Sequence, residues 1–280
     1  MTSPTELCAE SKKWVTRFAL RSMTALHVSR RDAPPITPEE VKTVTKSIQQ
    51  FQLGEGSKGE RLLRRGEIYG SKVHDPYFAK ALDLFIKEEQ QHSRYLGDFM
   101  QSQCIPLVSR HWVDTVFRKL RGLAGLELSL TVLVTAELIA VPYYRALRDA
   151  TCSPILRIIC TRILEDEAAH LKFQASMLAR AASERLSLWR WAVRELHRFF
   201  LLGTITLVWL EHRAVFEAGG YSFWRFKNKT LREFCEWDSL RRNFIVRAPA
   251  QQSHAVNTPK RAESHIGSRA LVKTGIQSHR

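Results

Sequence analysis

The stretch Glu88-Glu89-Gln90-Gln91-His92 decides how this chain is read, together with its counterpart Asp166-Glu167-Ala168-Ala169-His170. Each holds a glutamate and a histidine three positions apart, with a second acid directly before the glutamate. In an α-helix, residues at i and i+3 lie side by side on one face. The flanking residues show which face this is. The first stripe reads Phe78, Leu82, Phe85, Glu89, His92, Leu96, Phe99, and the second Leu156, Ile159, Ile163, Glu167, His170, Gln174, Met177. Both ionisable pairs therefore sit in the middle of apolar stripes, and such stripes face a core. A buried carboxylate or imidazole is costly unless it is paired or binds metal. One such pair fits a structural hydrogen bond. Two of them, on two helices, point to one shared site.

A two-metal site of this kind takes further carboxylates from two more helices. Glu137 is the one acid on the stripe Leu126, Leu130, Leu133, Glu137, Val141, Tyr144. Glu55 lies on Val44, Ile48, Phe51, Glu55, Gly59, Leu62. Glu60, on a more polar stripe, is its rival. Glu55 precedes Glu89 by 34 residues, and Glu137 precedes Glu167 by 30. Each interval is long enough to climb one helix, turn, and descend a neighbour to the same height. The 45 steps from His92 to Glu137 leave room for a crossover between the halves. Asp166 and Glu88 are placed to hydrogen-bond the histidine of the opposite helix. Tyr144 is placed to reach a ligand or the pocket.

Working outward, the chain reads as helical throughout. Its 280 residues include only 13 glycines and 10 prolines, with 44% hydrophobic and 25% charged residues, a soluble and helix-favouring mix. Thr37-Pro38-Glu39-Glu40 carries an N-cap, a first-turn proline and a capping-box acid. Helices are predicted over 6–27, 38–69, 76–103, 115–149, 154–183 and 186–218. Pro142 is expected to bend the helix over 115–149 next to Glu137. The aromatics Trp189, Trp191, Phe199, Phe200 and Trp209 are expected to cover the core helices, and Glu211-His212 reads as a surface pair.

These features resemble the ferritin-like superfamily of di-iron carboxylate proteins over about residues 38–180. The resemblance rests on Glu55, Glu89-x-x-His92, Glu137 and Glu167-x-x-His170. It implies an all-α, ferritin-like four-helix bundle with a long crossover between the second and third core helices, plus flanking N-terminal and C-terminal helices. It also implies six ligands to two iron ions, with the glutamates of the paired motifs bridging. Four carboxylates and two neutral imidazoles suit iron or manganese better than zinc. No motif separates iron from manganese, so a manganese or mixed pair stays open and iron rests on the resemblance.

The expected domains are a flanking helix in 1–36, a ferritin-like domain over 37–237 and a basic tail over 238–280. Within the middle domain, the metal-binding core covers about 38–183 and a covering helix about 186–218. The tail holds eight Lys/Arg against two Asp/Glu, a net +6 within the overall +15. With no RNP signature, zinc-finger spacing or Gly-rich phosphate loop, it reads as a solvated tail in preference to a nucleic-acid arm. Five cysteines without a CxxC pair fit a reducing compartment. Met1 to Glu6 carries no secretory pattern. The longest apolar run, 199–210, is short for a bilayer. A cytoplasmic protein without a membrane role is expected.

The function expected first is an oxidoreductase that activates O2 to oxidise a small organic substrate, fed by an external electron donor. A ferroxidase or peroxide-handling protein comes second. A non-catalytic, metal-stabilised binding protein comes third. A homodimer is compatible with all three.

Overall fold

The computed structural model describes residues 4–26, 34–112, 115–117, 119, 125–182 and 186–247. Among them all regular structure is helical. In chain order the helices are α1 (Pro4–Ser22), α2 (Pro38–Glu55), α3 (Glu60–Lys72), α4 (Tyr77–Ser102), α5 (Leu126–Ala150), α6 (Pro154–Ala182), α7 (Ser187–Ala218) and α8 (Phe223–Arg247).

The start of α2 follows its sequence except that the expected capping-box acid, Glu40, turns its carboxylate to the Thr151 hydroxyl and the Cys152 amide. The Glu40 amide donates to Thr37 Oγ1 at 3.2 Å, and Pro38 fills the first turn, where its missing N–H costs nothing. The end of α2 does not follow the prediction of one helix over 38–69. The chain breaks between Glu55 and Glu60 and restarts as α3. The cause is local. Gly56 caps α2, and Gly59 adopts a left-handed φ of 65°. A Cβ at Gly59 would lie 2.6 Å from Ile86 Cδ1, so a side chain there would also displace Ile86. The break leaves Glu55 as the last residue of α2.

Asp75 joins three elements. It accepts from the Tyr77 amide at 3.1 Å, from Ser11 Oγ at 2.6 Å and from Arg180 at 3.1 Å. This fixes the start of α4 against α1 and α6. The described helix α5 begins at Leu126. Residues 118 and 120–124, inside the predicted helix 115–149, lie outside the described residues. Helix α5 runs on through Pro142.

Helices α4 and α6 carry the paired motifs. α2 packs on α4, α4 on α6, and α6 along α5. α2 also meets α5 through Phe51 and Tyr143, whose rings stack with centroids 3.4 Å apart. α1 covers α4 and α6, with Trp14 and Phe18 against Phe85 and Phe173. α7 backs α2 and α5, and α8 packs on α6.

Two expectations need correction. The boundary at 238 falls inside α8, a helix the sequence reading does not assign. Trp237 and Asp238 are buried, Trp237 against His197, and Asp238 in ion pairs with Arg241, Arg242 and Arg194. Residues 248–280 lie outside the described residues. Secondly, the aromatics of α7 do not all cover the core. Trp209 packs on Phe216, Phe223 and Phe226, but Trp189, Trp191 and Phe199 are exposed. Two helices, Leu126–Ala150 and Ser187–Ala218, are long and apolar enough to cross a membrane by length and composition, a test that the core helix of a soluble protein also passes. The most apolar window of the first is 72% buried inside the protein, and that of the second 39%.

Candidate metal centre

Helices α4 and α6 present Glu89 and His92, and Glu167 and His170, towards each other. His170 Nδ1 lies 2.9 Å from Glu89 Oε1, 3.7 Å from Glu137 Oε2 and 3.6 Å from Glu167 Oε2. His92 Nδ1 lies 3.8 Å from both Glu89 Oε1 and Glu167 Oε1. One ligand atom from each of Glu89, Glu137, Glu167 and His170 falls within 4.8 Å of the others, and so does one from each of Glu55, Glu89 and His92. The structure thus brings together all six residues proposed from the sequence, in two groups that share Glu89. Glu60 stays outside both, exposed at the start of α3.

The imidazoles are turned by the acids that precede the two glutamates. His92 Nε2 lies 3.1 Å from Asp166 Oδ2, and His170 Nε2 lies 2.9 Å from Glu88 Oε2. Each acid therefore reaches the histidine of the other helix. With Nε2 so engaged, Nδ1 of both rings faces the cluster. Tyr144 donates to Glu55 Oε1 at 2.7 Å, and Gln174 donates to Glu137 Oε1 at 3.0 Å.

Two arginines complete this outer layer, and the sequence reading did not find them. Arg21 of α1 binds Glu88 at 3.1 Å and also pairs with Asp166; Arg162 binds Asp166 at 3.1 Å. Arg162 is four residues before Asp166, a spacing visible in the sequence. Arg21 lies 67 positions from Glu88, and nothing local marks it. Gln174 was on the apolar stripe but carried no sign of its partner.

Charge and burial decide what the cluster can do. Arg21 and Arg162 offset Asp166 and Glu88. Of the cluster carboxylates, Glu89 has His170 Nδ1 beside it at 2.9 Å. Burial, then the charges of Glu89 and Glu137, raises the Glu55 carboxyl well above the usual range. Burial and Glu137 raise Glu89. Burial, with His170, Arg162 and Arg21, holds His92 well below its usual value, so its ring stays neutral. Burial also opposes charge on His170, but Glu89, Glu137 and Glu88 outweigh it and raise that histidine. Without a cation, the site gathers protons to balance its carboxylates.

The ligand atoms themselves carry the fit to metal. Both Glu167 oxygens and His92 Nδ1 are buried and have no hydrogen-bond partner, and Glu89 Oε1 and His170 Nδ1, buried 2.9 Å apart, have no partner beyond each other. Buried polar atoms are rarely left so, because each costs about 1–3 kcal/mol. Hard oxygen donors and imidazole nitrogens converging on one volume fit divalent cations. These residues could hold one metal ion or a pair.

The cluster opens onto a cavity of about 630 Å³. Glu55, Glu89, Glu137 and Glu167 form one wall. Phe51, Phe85, Ile86, Leu133, Ile139 and Val208 supply apolar surface, and Lys58 and Arg61 lie at an exposed edge. Ala136, Ala140 and the glycines of the α2–α3 break leave this space open.

His212 corrects another expectation. It is a buried residue of the cavity wall and not half of a surface pair. Its φ and ψ of −119° and 16° depart from helical values and kink α7. The kink sets Nδ1 2.9 Å from Ser47 Oγ, which donates to Tyr143 at 2.8 Å. Burial pushes the His212 pKa down to about 3. The chain matches no protein-family model, no curated protein and no solved structure.

Proposed function

We propose that the chain is a ferritin-like, di-iron oxidoreductase that activates O2 to oxidise a small organic substrate. On this reading α2, α4, α5 and α6 form the four-helix bundle, and the segment between α4 and α5 is the crossover. Glu89, Glu137, Glu167 and His170 hold one metal ion, and Glu55, Glu89 and His92 hold the other. The observation that carries the reading is the opening of a buried, orphaned ligand cluster onto a largely apolar 630 Å³ cavity. A metal store or a purely structural site has no use for such a chamber, whereas cavities of this size suit small-molecule ligands.

When bound, a pair of redox-active metal ions supplies the electrons that O2 chemistry requires. The remaining work falls to side chains. Asp166 and Glu88 hold the imidazoles with Nδ1 inward. Tyr144 and Gln174 orient Glu55 and Glu137. The apolar wall excludes water and holds substrate against the carboxylates. Electrons come from a separate donor, since the sequence carries no flavin or iron–sulfur motif. All five cysteines are free, which supports a reducing, cytoplasmic setting.

The test fills the cavity without touching a ligand. Ala136 and Ala140 line it. Protein loaded anaerobically with Fe(II) should consume O2 under reductant, and small apolar compounds should raise that rate. Ala140→Phe should keep its metal and lose the stimulation. Uptake that no organic compound stimulates, and that Ala140→Phe leaves intact, would replace this reading with that of a ferroxidase.

A further inference from the structure

Helix α7 turns one face to the cavity and the other to solvent, and the solvent face has a repeat. Trp189, Ala192, Leu196, Phe199, Gly203, Thr206 and Leu210 are all exposed, at alternating steps of three and four. This is the spacing of a coiled-coil seam, with Trp189, Leu196, Gly203 and Leu210 at one set of positions and Ala192, Phe199 and Thr206 at the other. It spans about 32 Å at ~1.5 Å per residue. No charged residue lies within it, and it ends where His212 kinks the helix. Trp189, Leu196, Phe199 and Leu210 expose 55%, 69%, 76% and 70% of their surface, a large cost for one helix in water.

We infer that this seam pairs antiparallel with the same helix of a second copy of the chain. Side-chain size selects the pairing. In an antiparallel pair, each position of one set meets a position of the other set across a twofold axis. One register, centred beside Leu201, sets Phe199 against Gly203, Leu196 against Thr206 and Leu210 against Ala192 of the second copy. Each of these layers then joins a bulky side chain to a small one, while Trp189 falls opposite Arg213, past the kink. A shift of one heptad sets Phe199 on Leu196 or on Leu210, and leaves Gly203 facing Ala192 or Thr206. A parallel pair sets like on like. The bulky seam residues, with Leu188 beside them, offer on the order of 700 Å² per chain, close to what a specific dimer needs.

Gly203 supplies the test, because a Cβ there meets no heavy atom within 4 Å in the single chain. Gly203→Leu therefore leaves the fold alone and fills the hole meant for Phe199. In sedimentation velocity at micromolar concentration, the full chain should run as a dimer. Gly203→Leu should raise the dimer Kd at least about tenfold with unchanged helical circular dichroism, a change of ~1.4 kcal/mol. The double variant Phe199→Ala/Gly203→Leu exchanges the bulky and small partners and should restore the dimer. A monomeric wild type would overturn the proposal. So would a dimer indifferent to Gly203→Leu, or a double variant no better than the single one. A wild-type monomer that floats with phosphatidylserine vesicles would reassign the face to a lipid surface.

Discussion

Asp166 shows how one side chain serves the site without entering it. It is buried, takes two arginines, and fixes the His92 ring through Nε2. Asp166→Asn keeps the shape but removes the charge that opposes Arg21 and Arg162. Metal affinity should fall about 10–100-fold, measured by calorimetric titration of Fe(II) or Mn(II), as for other residues that hold a ligating histidine. His212 gives a second prediction, through pH. Its pKa is about 3 in the folded chain against about 6.5 unfolded. Between these values the unfolded chain binds a proton that the folded chain does not. Stability from this residue is therefore complete above pH 6.5 and falls on acidification towards pH 3, by up to about 1.4 kcal/mol per pH unit. Thermal melts of metal-free protein should show the advantage of wild type over His212→Gln shrinking across that window; a gap independent of pH would contradict this. Local spacing made Glu89, His92, Glu167 and His170 legible, because a helix turns i and i+3 into neighbours. The burial of His212 was not legible. It depends on Ser47, 165 positions away, and on a kink that no residue announces.

At the scale of elements, the break between α2 and α3 sets the position of Glu55. The three glycines at 54, 56 and 59 were visible, but the apolar stripe runs on through Leu62 and argued for one helix. The stripe holds because α3 also packs on α4, with Leu62 buried. Gly59→Ala should cost about 1–2 kcal/mol from its left-handed backbone alone, seen as a lowered Tm. The contact with Ile86 should also move the end of α2, and so weaken metal binding at Glu55. Unchanged Tm would mean that the turn tolerates a side chain. Helix α1 is the second case. Phe18 packs on Phe85, Phe173 and the His170 ring, and Arg21 of the same helix holds Glu88. Phe18→Ala should destabilise the protein by about 3–5 kcal/mol in denaturant unfolding. Helix α8 escaped the sequence because its apolar residues are diluted by basic ones, and its buried Asp238 has meaning only beside three arginines.

For the whole molecule, the centre and the fold depend on each other. Four carboxylates confined with two imidazoles oppose folding until cations balance them, so metal that binds only the folded chain stabilises it by mass action. Removing metal with a chelator should lower the Tm, and returning it should restore the Tm. An all-helical chain with a buried Glu/His cluster was readable because both properties follow from short periodicities. Which helices cover which faces was not, since that depends on contacts far apart in sequence. The most direct test of the account is metal content after anaerobic loading, for wild type and for Glu89→Ala, the residue shared by both ligand groups. Two metal ions per wild-type chain, with loss of both in the variant, is the predicted result. A wild-type chain that binds none would contradict the account, and its paired motifs would be buried hydrogen-bonding groups only.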